Sequence, residues 1–158
     1  MTPQRLHAEL LKDLMEMSKA YLLGVMHDST ERKTTYRITS KEQYFVEFSK
    51  KLVQNTQIIS KKDKIEYIRG YFDAEGSVPK SRDSRFYIYF SQKNKKDLEE
   101  LKSYIESLGI ICGKTHNPSI KKDPEYWRFY ISCKPYDSFI ELIGSWHPTK
   151  SQHLRVKI

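Results

Sequence analysis

The chain is poor in cysteine: only Cys112 and Cys133 are present, far apart and each inside an apolar stretch. No C-x-x-C pair and no Cys/His spacing suits zinc, and two distant thiols make no disulfide framework. Both read as buried free thiols of a reducing compartment. Long apolar runs are missing too. No segment approaches the roughly 18 consecutive apolar residues of a membrane span. The opening MTPQRLHAELLKD also lacks the pattern of a secretory signal. The expectation is a soluble, intracellular (cytoplasmic) protein with no membrane partner. Acid is in deficit: 20 Asp and Glu face 28 Lys and Arg, for a formal charge of +8. That surplus favours a polyanionic partner, nucleic acid ahead of an anionic membrane surface. A merely basic structural or ribosome-associated protein is the bland alternative. What the chain has in plenty is aromatic rings, eleven Tyr among them, and disordered chains are poor in these. Its 158 residues suit one compact domain or two small pseudo-repeats sharing a core.

Residues 3–27 carry apolar positions at helical spacing (Leu6, Leu10, Leu11, Leu14, Met15). Ser18 is placed to cap a second helical segment, AYLLGVMHD, apolar nearly all round and so expected to be buried. TTYRIT (34–39) alternates as a strand should, and YFVEFSK (44–50) is a second strand, with a helix through FVEFSKKLV as the other reading. Asp63 reads as the N-cap of KIEYIRGYFDAEG, which stops at Gly76. RFYIYFSQ (85–92) is a strand, KKDLEELKSYIESLG (95–109) an amphipathic helix, and IICGKTHN and EYWRFYISCK (125–134) are strands. PYDSFIELIGSW is a helix opened by Pro135, and the basic tail reads as a short terminal helix. Residues 64–146 thus form a helix–strand–helix–strand–strand–helix unit, and 18–55 a shortened version of it. AYLLGVMHDST parallels EYIRGYFDAEGS, and FVEFSKK parallels FYISCKP, with Lys50 opposite Lys134.

Gly70 lies in the middle of a helical pattern, where glycine costs about 1 kcal/mol relative to alanine. Close approach of a second helix backbone is the natural reason for it. Five residues on, Glu75 sits at the helix end, where a carboxylate opposes the macrodipole. That is a poor place for a structural acid and a good one for a cation, because a carboxylate and end carbonyls are the hard ligands Mg²⁺ prefers. Two such helices side by side would bring two carboxylates together at the base of the pair.

GYFDAEGSV at 70–78 resembles the motif of LAGLIDADG homing endonucleases, and the order of elements after it resembles that family as well. The resemblance implies an α+β fold: pseudo-twofold αββαββα repeats, motif helices packed at the axis, and antiparallel sheets that form a saddle on double-stranded DNA. It implies a Mg²⁺-dependent endonuclease (or one using another divalent cation), with Glu75 as a metal ligand and Gln92, Lys134 and Lys50 as polar and basic active-site groups. The halves fall at 1–62 and 63–158. In the first motif, LLGVMHDST, Asp28 stands four residues after Gly24 rather than five, so strict spacing puts Ser29 in the metal position. Either that helix end is tightened by one residue and Asp28 is the second metal ligand and catalytic acid, or this half-site has lost its acid. His27 reads as a phosphate or water contact, or as a partly buried histidine. The stretch from Asp28 to Asp63 is also too short for a full repeat. The first repeat is expected to lack part of its sheet and a helix, leaving a pseudo-twofold monomer or a compensating homodimer.

A sheet laid on DNA should alternate polar and apolar residues. Arg85, Tyr87, Tyr89 and Ser91 alternate with Phe86, Ile88 and Phe90; Tyr126, Arg128, Tyr130 and Ser132 with Trp127, Phe129 and Ile131; Thr35, Arg37 and Thr39 with Tyr36 and Ile38. Arg37, Arg85, Tyr87, Tyr89, Arg128 and Tyr130 are the candidate DNA contacts on strands. Lys80, Arg82 and Lys114 are candidate phosphate contacts in loops. Two other readings compete with cleavage of both strands: a cleavage-inactive DNA- or RNA-binding relative of maturase type, and a single-strand nickase.

Overall fold

The computed structural model describes residues 18–39, 45–79, 85–132 and 136–155. The helix expected over residues 3–17, along with Cys133, Lys134 and Pro135, lies outside them. Ser18 caps as expected. Its Oγ accepts the Tyr21 N–H at 3.2 Å, opening α1 (Lys19–Val25), which continues as a 3₁₀ turn, Met26–Asp28. Then come β1 (Thr30–Glu31), β2 (Thr35–Thr39), β3 (Phe45–Ser49) and the single turn α2 (Lys50–Val53). FVEFS (45–49) is therefore a strand, and the helical alternative begins only at Lys50.

Helix α3 (Lys61–Glu75) starts two residues before the expected cap. Ser60 holds the N-cap position and its Oγ accepts the Asp63 N–H at 3.1 Å. Asp63 instead lies in the first turn, where its charge suits the positive helix end. At the other end the chain leaves the helix at Gly76, but with extended torsions (φ −78°, ψ 151°). The glycine is needed for space rather than for a left-handed turn: a Cβ there would sit 2.1 Å from the Phe72 ring. Gly109, by contrast, does take the left-handed conformation that glycine allows (φ +85°).

β4 (Gly76–Ser77), β5 (Tyr89–Gln92), α4 (Lys95–Ser107), β6 (Trp127–Tyr130), α5 (Tyr136–Leu142) and α6 (Pro148–Arg155) complete the described chain. The β5 ladder is shorter than the alternating run 85–92, and IICGKTHN contributes only single bridges, Cys112 to Ile131 and His116 to Arg128. Two antiparallel sheets result, ordered β1-β2-β3 and β4-β5-β6. Each has three strands, and among the described residues only the second also carries the edge bridges of Cys112 and His116. The first repeat is shortened at the helix as well: α4 is inserted between β5 and β6, whereas β2 and β3 are joined by residues 40–44 alone.

The larger core lies under the second sheet, where Phe72, Phe90, Phe129 and Phe139 are fully buried. Their rings meet edge-on or stacked at 5.4–6.1 Å, and truncating such a ring to alanine costs about 3–5 kcal/mol. The smaller core joins Tyr21, Leu22 and Val25 of α1 to Phe48 and Val53, with Trp146 packed against it. No described helix is long and apolar enough to cross a membrane.

Candidate functional site

The joint between the repeats is glycine against backbone. A Cβ on Gly24 would sit 2.3 Å from the Tyr67 carbonyl oxygen and 2.6 Å from the Tyr71 nitrogen. A Cβ on Gly70 would sit 2.1 Å from the Tyr21 carbonyl oxygen and 3.1 Å from the Val25 nitrogen. Each glycine faces the residue three before and the residue one after the other glycine, so α1 and α3 are related by a pseudo-twofold axis. The close approach anticipated for Gly70 is present, and Gly24 is its mate.

The two helices end differently. From Gly70 to Glu75, five α-helical steps of 1.5 Å rise about 7.5 Å. From Gly24, one α-helical step and three 3₁₀ steps of about 2.0 Å reach the same height at Asp28. The tighter turn therefore offsets the missing residue, and an acid four positions after its glycine stands level with one five positions after. Ser29, at the strictly spaced position, turns its hydroxyl back to donate to the Met26 carbonyl. Glu75 is half-buried and Asp28 is exposed. Partial loss of solvation at the helix end still raises the Asp28 carboxyl above its ordinary range. Burial first, and the Asp28 charge second, push Glu75 up to about 7. Two carboxyl groups close together oppose each other's ionisation, and a bound cation could relieve that repulsion.

His27 is not directed at a ligand. Its Nε2 lies 3.1 Å from the Tyr67 hydroxyl, and its ring lies against Tyr71 at 4.2 Å. The pseudo-twofold counterpart of this contact is Tyr21 donating to the buried carboxylate of Asp73. Asp73 accepts two more hydrogen bonds, from Ser145 Oγ and from the Trp146 N–H at 3.1 Å. The segment after α5 is thereby tied to α3. Arg69 adds to this by donating to the Ile143 carbonyl at 2.6 Å and lying over the Trp146 ring at 4.4 Å.

A residue that no spacing argument singled out lies at the same place. Lys150, on the first turn of α6, donates from Nζ to the carbonyls of Phe72 and Asp73, each at 2.8 Å. Burial lowers its pKa, while Asp73, Asp28 and Glu75 act in the opposite direction. His147 fixes the start of that helix: its Nδ1 accepts the Thr149 N–H at 3.2 Å. An acceptor role requires neutral imidazole, and burial, then Lys150 and His153, hold His147 down at about 4.

The other expected active-site groups are less convergent. Lys50 bonds Glu31 at 2.6 Å beside the Tyr36 ring. Gln92 accepts the Lys93 N–H at 2.8 Å and is a polar neighbour of the Tyr71 hydroxyl. Lys134, Lys80 and Arg82 lie outside the described residues. On the second sheet Ile88, Phe90, Phe129 and Ile131 face the core, as the alternation requires. Tyr87, Tyr89 and Tyr130 form a row on the opposite face, with Arg128 5.3 Å from the last two rings. Arg85 and Lys114 are exposed. On the first sheet Arg37 pairs with Glu47 at 3.5 Å. Cys112 is half-buried, and burial pushes its thiol up to about 12.

A family profile described as "LAGLIDADG-like domain" matches residues 62–144, more than half of the chain. The chain belongs to the LAGLIDADG family. A search of curated protein sequences returned no match. Among solved structures, I-DmoI in complex with DNA and Mn is 19% identical with a TM-score of 0.58, the match covering 82% of this chain and 97% of that one. I-DmoI in complex with DNA and Ca is 18% identical at a TM-score of 0.60, covering 87% and 96%. The N-terminal LAGLIDADG domain of DUF199/WhiA is 13% identical at 0.56, covering 87% and 91%. These likenesses establish the fold: a LAGLIDADG chain with two repeats, the first one shortened.

The donor set of this LAGLIDADG helix pair suits a hard cation. Among the described residues no three His, Cys, Asp or Glu side chains come together as a metal cluster. The protein thus offers the two carboxylates, with the Phe72 and Asp73 carbonyls taken by Lys150. Mg²⁺ is often held in this way, by one or two carboxylates with water and substrate phosphate completing its shell.

Proposed function

We propose that the chain is a divalent-metal-dependent, site-specific DNA endonuclease, with Asp28 and Glu75 holding the cation at the base of the helix pair. The observation that carries this reading is the 3₁₀ turn Met26–Asp28 at the end of α1, whose steeper rise offsets the missing residue, with Asp28 helping to raise the Glu75 pKa. Glu75 is half-buried, and a structural acid has no reason to be brought there against a second acid at a helix end. A divalent cation bound there supplies Lewis-acid activation of water and of the leaving 3′ oxygen. Asp28 and Glu75 hold and orient it, one from each pseudo-repeat. Arg37 and Thr35 on the first sheet, and Arg85, Arg128 and the tyrosine row on the second, engage the duplex; Lys114 contacts phosphate. The fold and the DNA complexes of I-DmoI support this reading.

Plasmid cleavage tests it, with wild type, Glu75→Gln and Asp28→Asn in Mg²⁺ on a plasmid carrying the DNA that flanks the reading frame's insertion point. The expected result is linear product from wild type and none from either variant. Binding without cleavage, undisturbed by Glu75→Gln, would sink the proposal. A second reading, a DNA-binding LAGLIDADG protein without cleavage, is favoured by one observation: serine occupies the strictly spaced position of the first motif. Nicked rather than linear product would place the chain between the two.

A further inference from the structure

Helix α3 carries two acids in its last turn, Asp73 and Glu75, and no basic residue there. Such an end is electrostatically unfavourable, because the negative pole of the helix adds to the carboxylates. The compensating charge arrives from α6. Lys150 lies between the motif helix and the C-terminal helix, with Phe72 and Asp73 carbonyls at 2.8 Å. An ammonium has three donors, and its third N–H has no hydrogen-bond partner among the described residues. Its attitude is set on both sides: His147 caps the turn that carries it, and Asp73 anchors Ser145 and Trp146 just before. A lysine on a flexible stem would ordinarily extend its charge into water. This one is folded inward onto the end of α3, within the electrostatic reach of Asp73 first and then of Asp28 and Glu75.

We propose that Lys150 is the resident cation of the two-acid site, supplying the positive charge of a second metal ion so that one divalent cation completes it. The inference rests on the two-acid reading given above. Two carboxylates and one ammonium leave a single net negative charge. One divalent ion makes the site net positive, as a phosphodiester gaining charge in its transition state requires. A second divalent ion would then enter a site that is already net positive. Sites without such a lysine place two metal ions about 3.5–4 Å apart to the same end.

The test is Mn²⁺ binding to the full chain without DNA, measured by calorimetry for wild type, Glu75→Gln, Lys150→Met and Lys150→Arg, with circular dichroism to confirm folding. Wild type is expected to bind one Mn²⁺, and Glu75→Gln to lose it. Lys150→Met should bind Mn²⁺ at least threefold more tightly or take a second ion, because the competing ammonium is gone. Lys150→Arg should stay within twofold of wild type. A lysine that merely braces the helix end predicts the opposite sign, weaker binding in Lys150→Met. If Lys150→Met does not fold, Lys150→Gln keeps donors for the two carbonyls, drops the charge, and carries the same expectation. Unchanged or weaker binding in the uncharged variant, or two ions in wild type, overturns this inference alone. No Mn²⁺ binding by wild type overturns the two-acid reading along with it.

Discussion

Tyr21 donates its hydroxyl to Asp73 across the helix pair, and Tyr67 meets His27 in the pseudo-twofold counterpart of that contact at 3.1 Å. In each case a tyrosine three residues before one motif glycine reaches the residue three after the other. The two contacts differ in what they hold. Asp73 is buried and has two further donors in Ser145 and Trp146, whereas His27 is half-buried and leans on the Tyr71 ring.

That difference predicts unequal costs. Tyr21→Phe leaves a buried carboxyl group short of one donor and should destabilise by about 1–3 kcal/mol. Tyr67→Phe should cost less, about 0.5–1.5 kcal/mol, because water can serve His27. Urea denaturation of the two variants measures both; equal losses would contradict the asymmetry.

Gly24→Ala and Gly70→Ala should each be destabilising by about 3 kcal/mol or more. The same exchange in an unpacked helix interior stabilises by up to about 1 kcal/mol, so the sign alone is informative. The strain comes from a Cβ forced to within 2.1–2.3 Å of a backbone carbonyl oxygen on the facing helix. Chemical denaturation reads it, and a stabilised variant would disprove the backbone contact.

Glu75 carries a pH prediction. Its folded pKa of about 7 lies above its ordinary value of 4.5, so the folded chain keeps a proton that the unfolded chain releases. The associated stability is fully present below about pH 4.5 and is lost as the pH rises through about 7. Glu75→Gln should therefore be more stable than wild type at pH 8, by about 1–2 kcal/mol after allowance for solvent screening. The two should converge below pH 4.5. Saturating Ca²⁺ should stabilise wild type alone and narrow the gap at pH 8. Melting curves across pH, with and without Ca²⁺, test both parts.

Lys114 and Arg128 should separate charge from readout. Lys114 is exposed, and its exchange for alanine should weaken binding to any duplex evenly and lower the salt slope by about one. Arg128 lies against Tyr89 and Tyr130, and Arg128→Ala should cost about 1–3 kcal/mol and relax preference among sequences. Titrations of a target and an unrelated duplex at two salt concentrations distinguish the two effects.

Much of this architecture is legible in the sequence because local rules carry it. Gly70 stands where helices avoid glycine, Ser18 precedes an apolar helical run, and the tyrosine and arginine alternation survives in the sheet that presents it. The first repeat's missing residue could be noticed in LLGVMHDST, but whether Asp28 or Ser29 comes level with Glu75 depends on helix winding, which side-chain pattern does not encode. Ser60 displaced Asp63 as the cap because two capping residues competed within four positions. Gly76 ends its helix for want of room beside Phe72, a contact that turn statistics do not contain. Lys150 left no trace at all: a lysine in a basic tail acquires its role only through a contact with carbonyls on a helix far from it in the chain.

The joint at Gly24 and Gly70 has a mechanical consequence. Two helices touching through their backbones have no side-chain layer between them to compress or re-pack, so the hinge that a leucine seam would provide is absent. The spacing and tilt of the two sheets are set at that seam, like the jaws of a locked calliper. A duplex seated on both sheets at once would have to adjust its own curvature and groove width to that gauge, and sequences that bend readily would be admitted more cheaply than stiff ones, at base pairs no side chain touches.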